Sequence, residues 1–231
     1  MSDLSAFPIT QRWPAKDPSV IQLYSYPTPN GVKISIALEE MGLAYEPHLV
    51  TLSDADVKSP EFLSLNPNNK IPAIIDPNGP EGPIGIFESG AILLYLAEKS
   101  GKFIGSTAAE KAKITQWLMF QMGGLGPMLG QMGFFYKFAG KDIEDPRPRE
   151  RYRDEAIRLL AVLDKELEGK DWIVGDFSIA DMAIAPWLNA LEFYGTKDAV
   201  GYHDLKNVPA YVERFFARPA VQKAMRIPDP S

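Results

Sequence analysis

Polar side chains crowd the end of the first predicted strand. The stretch LYSYPTPNG, residues 23–31, carries hydroxyl groups on Ser25, Tyr26 and Thr28 and an amide on Asn30. The strand pattern stops here and a helical pattern follows, so we expect Asn30 to cap that helix. Donors at a helix N-terminus, where the helix dipole is positive, favour a negatively charged group. The stretch therefore predicts a loop that holds the charged atom of a ligand.

A second predicted helix start pairs an acid with a hydroxyl. In FESGAILLYLAEK, Glu88 and Ser89 open an apolar helix that Gly101 ends. Ser89 can hold a ligand carboxylate at the helix N-terminus, while Glu88 can accept from a ligand ammonium. An ordinary acidic first turn with a serine cap explains the same pattern equally well.

Pro72 immediately precedes the predicted third strand, in NKIPAIID. Proline has no N–H group, which suits the first position of a strand. A cis bond here would turn backbone groups outward to pair with an extended ligand. A plain turn proline is the structural alternative.

Four arginines lie near the start of a long predicted helix, at Arg147, Arg149, Arg151 and Arg153. Cations at this end oppose the helix dipole, so another interaction is expected to explain them. One explanation is a solvated face paired with neighbouring acidic residues. The other is a clamp for ligand carboxylates, in which Arg151 lies next to the apolar stripe.

Composition argues against several classes of protein. The chain has 231 residues and no cysteine, so it has neither disulfides nor a cysteine nucleophile. A net charge of −6 argues against a nucleic-acid partner. No apolar run approaches the ~20 residues of a membrane span, and the N-terminus does not resemble a secretory signal. We expect a cytosolic protein without a metal site, and we expect His48 and His203 to be solvated or in loops.

The order of predicted elements divides the chain in two. A β-α-β segment begins with a strand over residues 21–26, and a β-β-α segment follows it to Lys99. After Gly101 only helical patterns occur, and GGLGPMLG predicts a kinked or broken helix. The sequence thus predicts an α/β domain followed by an all-α domain, with the first 20 residues as a loose arm.

Taken together, these segments resemble the cytosolic glutathione transferases. The blocks NKIPAI, ESGAILLYLAE, SIADMAIAP and ARPAVQKA carry the resemblance. PTPNG, NPNNKIPAI, QWLMFQMGGLGPMLGQ and ERYRDE resemble the nu class, a bacterial branch whose characterised members reduce disulfides with glutathione. The resemblance implies a thioredoxin-like glutathione-binding domain over 21–103 and a helical-bundle domain over 108–228, preceded by an arm over 1–20.

The resemblance also implies roles for individual residues. Thr28 and Asn30 correspond to the pair that contacts the glutathione sulfur. Lys70 and Ile71, ahead of a cis Pro72, correspond to the segment that pairs with the cysteinyl part of glutathione. Glu88 and Ser89 correspond to the residues that bind the γ-glutamyl group. Arg151 corresponds to an arginine contributed by the helical domain. The chain departs from the class pattern at Asp56, Val57 and Lys58, which leaves the anchor of the glycine carboxylate open.

Three functions fit this resemblance. The preferred one is a disulfide reductase in which a bound glutathione thiolate attacks small or mixed disulfides, with one or two glutathione molecules per site. The second is conjugation of glutathione to electrophiles, with Tyr24 or Tyr26 at the sulfur and an apolar site formed by Met128, Met132, Phe134, Phe135 and Tyr136. The third is a non-catalytic glutathione-binding regulator. A homodimer is implied in each case.

Overall fold

The computed structural model describes residues 4–230, which divide into two compact units. The first unit contains residues up to Gly101 together with the segment from Pro219, and the second contains Lys102–Arg218. Helices occur in both units. In chain order they are α1 (Ile9–Arg12), α2 (Pro29–Met41), α3 (Asp54–Val57), α4 (Pro60–Leu65), α5 (Ser89–Ser100), α6 (Ala108–Phe120), α7 (Gly126–Tyr136), α8 (Arg147–Glu166), α9 (Ile179–Tyr194), α10 (Val208–Phe216) and α11 (Pro219–Ala224).

The sheet of the first unit has four strands, β1 (Ile21–Ser25), β2 (Tyr45–Leu49), β3 (Ala73–Gly79) and β4 (Gly82–Phe87). Their order is β2-β1-β3-β4; β1 is parallel to β2, whereas β3 is antiparallel to both β1 and β4. All five residues of β1 are buried, as expected for an inner strand, while burial alternates along the edge strand β4. This sheet and the helical second unit confirm the predicted fold class.

Two helices of the first unit end where their glycines predict. Gly42 follows α2 at φ 70°, and Gly101 follows α5 at φ 69°. A left-handed residue after the last turn lets backbone N–H groups reach the final helical carbonyls, and glycine adopts it without a Cβ clash.

The N-terminal arm is not loose over its described part. Ile9 on α1 is fully buried and Leu4 is 6% exposed, within an apolar cluster that includes Tyr24 and Phe62. The Trp13 indole N–H donates to the carbonyl oxygen of Leu49 at 3.0 Å. The expectation of a loose arm was therefore wrong for residues 4–20, because the arm contributes apolar side chains to the core. Residues 1–3 lie outside the described part of the chain.

His48 also differs from its predicted environment. It lies in β2, 8% exposed, where its Nε2 is 2.8 Å from the Gln22 side-chain oxygen. Its ring stacks on Tyr24 with centroids 4.7 Å apart. Burial lowers the pKa of His48, so the neutral form is favoured. His203, in contrast, is exposed as predicted.

The second unit has an irregular helical turn where the sequence predicts a kinked or broken helix. A π-helical turn, Gln121–Leu125, joins α6 directly to α7. Such turns are rare and insert a residue into the helical ladder. Capping boxes start α6 at Thr107 and α9 at Ser178, the second within the sequence FSIADMAI.

Substitution of Asp181 is expected to destabilise the second unit strongly. This fully buried carboxylate accepts from the amides of Ile173 at 3.1 Å and Ser178 at 2.9 Å. Asp181→Ala leaves both N–H groups without a charged acceptor, so the free energy of unfolding should fall by about 2–4 kcal/mol. Chemical denaturation measures it. Glu110→Ala removes the corresponding carboxylate from the exposed capping box of α6, and it should lower the free energy of unfolding by clearly less. Equal decreases in the two variants would contradict this account.

The last helix belongs with the first unit rather than with the helices that precede it. Ser35 donates to the carbonyl oxygen of Ala224 at 3.0 Å, and the Lys223 ammonium pairs with Glu39 at 2.8 Å. The predicted helical domain extended to residue 228, whereas this grouping starts a first-unit segment at Pro219. Between residues 4 and 230, none of the helices combines the length and apolar content that a transmembrane segment needs.

Candidate functional site

Three segments of the first unit meet at one edge of the sheet. Tyr24 of β1 pairs with Ala73 of β3, and Ala73 pairs with Phe87 of β4. Because β3 is antiparallel to both neighbours, the ends of β1 and β4 lie beside its start. The residues that follow β1, precede β3 and follow β4 are therefore neighbours, and these are the three segments that the sequence singles out.

Thr28, not Asn30, caps α2. Its extended backbone (φ −97°, ψ 169°) is typical of an N-cap residue, and its Oγ1 accepts from the Gly31 amide at 3.3 Å. The prediction of an Asn30 cap was wrong because Pro29, which has a fixed φ and no N–H, starts the helix one residue earlier. Asn30 is the second helical residue and is half-buried.

The cap uses only part of the hydrogen-bonding capacity of Thr28. A hydroxyl has two lone pairs and one proton, and the bond from Gly31 occupies a lone pair. The proton can therefore be donated to a negatively charged ligand atom at the helix N-terminus. A thiolate accepts hydrogen bonds, so a hydroxyl that donates suits a bound thiolate.

Gly31 allows the turn before α2 to approach the helix closely. A Cβ on this residue would lie 1.9 Å from the carbonyl oxygen of Tyr26 and 2.6 Å from the Ser25 hydroxyl. The same Tyr26 oxygen accepts from the Thr28 amide at 2.7 Å. The position of Thr28 thus depends on the missing side chain at residue 31, a requirement that sequence analysis did not identify.

The segment before β3 has the geometry that the resemblance implied. The Ile71–Pro72 peptide bond is cis, Ile71 is buried, and the Lys70 side chain is exposed. The side-chain amide of Asn66 donates to the Lys70 carbonyl oxygen and so fixes the loop ahead of the proline.

Glu88 and Ser89 follow β4 directly. Glu88 has φ 71°, a left-handed conformation that non-glycine residues rarely adopt, and Ser89 is the first residue of α5. Such strain is often found at ligand-binding positions. The Glu88 side chain is exposed, while Ser89 is only 3% exposed. The structure thus brings Thr28, Pro72 and this pair to one sheet edge.

A buried cation lies beneath the pair, and sequence analysis missed it. Lys33 of α2 is fully buried, and its Nζ donates to the Ser89 hydroxyl at 3.2 Å. The spacing of Lys33, Ala37 and Met41 by four residues places all three on one helical face. That periodicity could have revealed a lysine on the buried side of α2.

Arg151 lies in the second unit, on α8, with an exposed side chain. Its neighbours have local partners: Arg147 pairs with Asp145, Arg153 pairs with Asp154 at 2.8 Å, and Arg149 donates to the Lys141 carbonyl oxygen at 2.9 Å. The ion pairs favour pairing with acidic neighbours for Arg147 and Arg153, whereas Arg149 is half-buried and bound to backbone carbonyl oxygens. The ligand role of Arg151 stays a prediction.

Tyr24 does not suit the role of a sulfur contact. Its side chain is fully buried, its hydroxyl faces the interior, and burial raises its pKa far above the ordinary value. Tyr26 is half-buried at the sheet edge and stays a candidate.

The five residues proposed as an apolar second site do not share one environment. Met132 is fully buried in the core of the second unit, whereas Phe134 is 39% exposed. Phe135 stacks on Tyr152 with centroids 5.5 Å apart. Met132 therefore belongs to the core of the unit, while Phe134 belongs to its surface.

The segment that departs from the class pattern is tied to the N-terminal arm. Asp56 accepts from the Arg12 guanidinium at 2.7 Å and from the amide and hydroxyl of Thr51. These donors hold its pKa below the ordinary value against the opposing effect of burial. Lys58 pairs with Asp54 at 2.8 Å. In the described part of the chain, no cluster of three or more acidic or histidine side chains is arranged to hold a metal ion.

Comparison with known proteins identifies the family of the chain. The N-terminal domain family of glutathione S-transferases matches residues 19–98, and the C-terminal domain family matches residues 131–219. Disulfide-bond oxidoreductase YfcG of Escherichia coli (strain K12) is 46% identical over 89% of this chain and 94% of its own length.

Two solved structures are more similar still. A glutathione transferase from Burkholderia graminis, with two glutathione molecules bound per subunit, is 58% identical with a TM-score of 0.98, covering 100% of this chain and 98% of that one. One from Pseudomonas putida, with one glutathione disulfide bound per subunit, is 56% identical with a TM-score of 0.96, covering 99% and 100%. This chain belongs to the glutathione S-transferase family.

Proposed function

We propose that this protein is a glutathione-dependent disulfide reductase. The observation that carries the proposal is the Thr28 hydroxyl, which caps α2 at the sheet edge that also holds Pro72 and Ser89. The chain has no cysteine, so every reacting sulfur must come from glutathione or from the disulfide substrate. The names of the relatives, a disulfide-bond oxidoreductase and a complex with glutathione disulfide, support the same activity.

The proposed ligand contacts follow the sheet edge. Thr28 and Asn30 contact the sulfur, and the backbone around Ile71 pairs with the cysteinyl part ahead of Pro72. Ser89 donates to the γ-glutamyl carboxylate while Glu88 accepts from the γ-glutamyl ammonium. Lys70 borders the ligand, and Arg151 is a further proposed ligand contact on the basis of the family resemblance.

The reaction consists of two thiol–disulfide exchanges. A bound glutathione thiolate attacks one sulfur of the substrate, forming a mixed disulfide and releasing the other sulfur as a thiolate that takes up a proton. A second glutathione thiolate then attacks the glutathione sulfur of the mixed disulfide and releases the second substrate thiolate. Two glutathione molecules supply two electrons and leave as glutathione disulfide, so no protein group is oxidised.

Hydrogen bonds are sufficient to ionise the thiol. A free thiol has a pKa of about 8.5, and lowering it by ~2 units corresponds to about 2.7 kcal/mol. Hydrogen bonds to charged groups contribute about 1.5–3 kcal/mol each. The Thr28 hydroxyl, an Asn30 donor and the positive end of α2 can supply this amount without a general base.

The remaining assignments belong to the same proposal. We infer two glutathione molecules per subunit, since the Burkholderia graminis protein binds two. We assign the chain to the nu class on its PTPNG and NPNNKIPAI blocks, and we propose a cytosolic homodimer. Met119, 48% exposed on α6 beside the contacting pair Trp117 and Phe120, is a candidate dimer contact.

A comparison of two substrates tests the proposed function. With saturating glutathione, we expect the purified protein to reduce hydroxyethyl disulfide much faster than it conjugates a chloronitrobenzene. The burial of Tyr24 and of Met132, which removes both side chains from a surface site for conjugation, favours this order. Faster conjugation would instead identify a transferase. Glutathione binding without turnover of either substrate would identify a non-catalytic regulator.

A further inference from the structure

Lys33 is a charged group that the proposed mechanism leaves unused. It lies in α2, five residues after the Thr28 cap, and its side chain is fully buried. Its Nζ donates to the Ser89 hydroxyl at 3.2 Å and thereby connects α2 to the start of α5. Both helix N-termini of the candidate site are thus joined through one buried lysine.

Burial of this ammonium is unfavourable in itself. Desolvation lowers the pKa of Lys33 to about 7, and the charge of Glu88 partly opposes that shift. An apolar residue of similar length would avoid the penalty if the position served packing alone. The presence of a lysine is therefore explained better by the effect of its charge on the neighbouring Ser89 hydroxyl.

The direction of the hydrogen bond suggests that role. Lys33 Nζ donates and Ser89 Oγ accepts, and whenever Lys33 is charged this direction is fixed, because an ammonium has donors only. The hydroxyl cannot donate back to Lys33, and its proton is directed to another acceptor. A ligand carboxylate is such an acceptor, and the adjacent positive charge strengthens the donated hydrogen bond.

We propose that Lys33 is a positioning residue for the γ-glutamyl carboxylate of glutathione. By donating to the Ser89 hydroxyl, it fixes that hydroxyl as a hydrogen-bond donor toward the ligand and places a positive charge beneath the carboxylate. Lys33 touches neither the substrate nor the reacting sulfur. The inference rests on the proposed function, because it assumes that Ser89 contacts the γ-glutamyl group.

Lys33→Met tests the inference by removing the charge while keeping an unbranched side chain. The probes are glutathione and cysteinylglycine, which lacks the γ-glutamyl group, and calorimetry or competition gives their dissociation constants. We expect Lys33→Met to weaken glutathione binding about tenfold and to leave cysteinylglycine binding unchanged. In the reductase assay KM for glutathione should rise while kcat changes little. An equal loss for both ligands would indicate a merely structural role and overturn the inference.

Two further variants make the test independent of folding defects. Lys99→Met is a matched control, because Lys99 also pairs with a buried acceptor, Asp76, at 2.8 Å but lies near the far end of α5. It should leave the preference for glutathione over cysteinylglycine unchanged. If Lys33→Met does not fold, Lys33→Gln, which retains a neutral donor, should reduce that preference by a smaller factor. An unchanged preference in a folded Lys33 variant would refute the proposal.

Ser89→Ala separates failure of this inference from failure of the proposed function. We expect Ser89→Ala to weaken glutathione binding, and Lys33→Met to add little in the Ser89→Ala background. If Ser89→Ala weakens binding but Lys33→Met does not, only the inference fails. If Ser89→Ala has no effect on glutathione binding, the γ-glutamyl contact is wrong and both fail.

Discussion

Replacing Gly31 with alanine is expected to lower the disulfide reductase rate by roughly a hundredfold, because it displaces the sulfur-binding hydroxyl. The new Cβ would lie 1.9 Å from the Tyr26 backbone oxygen, so the turn that carries Thr28 must move. Displacements of about 1 Å at a reacting group can reduce rates about 10²-fold. The free energy of unfolding should fall as well, by about 3 kcal/mol, as in overpacked sites. Initial rates and chemical denaturation measure the two effects.

Gly123→Ala is the matched control for this prediction. Gly123 lies in the π-helical turn of the second unit, and a Cβ there would meet nothing within 4 Å. Alanine is favoured over glycine in helices by up to about 1 kcal/mol, so stability should be unchanged or slightly higher. Activity should be unchanged. If Gly31→Ala retained full activity, the close approach at residue 31 would have no bearing on the position of Thr28.

Thr28→Ala is expected to lower the disulfide reductase rate tenfold or more. The substitution removes the proposed hydrogen bond to the glutathione thiolate, which is worth about 1.5–3 kcal/mol. It also removes the cap of α2, and helix caps contribute about 1 kcal/mol to stability. Rates measured well below the unfolding temperature of the variant separate the catalytic loss from the loss of stability.

Two further variants separate the effect of losing the thiolate-binding hydroxyl from the effect of losing the helix cap. Thr28→Ser retains both functions and should keep most of the activity. Thr107→Ala removes an equivalent cap, in which Thr107 accepts from Glu110 at 3.2 Å, and should lower stability without lowering the rate. Equal loss of activity in Thr28→Ala and Thr107→Ala would show that capping, rather than thiolate binding, explains the effect.

The sequence was most informative where a local rule determines a boundary. Gly42 and Gly101 end α2 and α5 as predicted, because a left-handed residue after a helix favours glycine in any context. The Ser178 capping box forms for the same reason, since its partner Asp181 is only three residues away. The first strand, predicted over residues 21–26 and observed over Ile21–Ser25, was located accurately because its run is short and bounded by a turn.

The predictions that failed depended on contacts between distant residues. The arm appeared loose because its polar and proline-rich sequence has no periodicity, yet Ile9 and Trp13 pack beside Phe62. His48 appeared solvated because nothing local indicates that it stacks on Tyr24 of the adjacent strand. The Asn30 cap failed for a local reason, since Pro29 starts the helix earlier than the apolar pattern does.

The candidate site was predicted in parts, and the structure of the first unit supplies their arrangement. Sequence alone identified Thr28, Pro72 and Ser89 as separate features, but only strand pairing explains why they are neighbours. Sequence analysis did not identify Lys33 and Gly31, because their importance depends on the residues that pack against them in the folded chain. A buried lysine and a glycine against a carbonyl are properties of packing, and composition does not reveal them.

The pKa of the bound glutathione thiol tests the central claim most directly. Thiolate absorbs in the ultraviolet, so a pH titration of the wild-type complex, compared with that of Thr28→Ala, reports the ionisation of the bound sulfur. We expect a pKa about two units below the ~8.5 of a free thiol in the wild type, and a value closer to that of the free thiol in the variant. A bound thiol that titrates like free glutathione in both proteins would contradict the account.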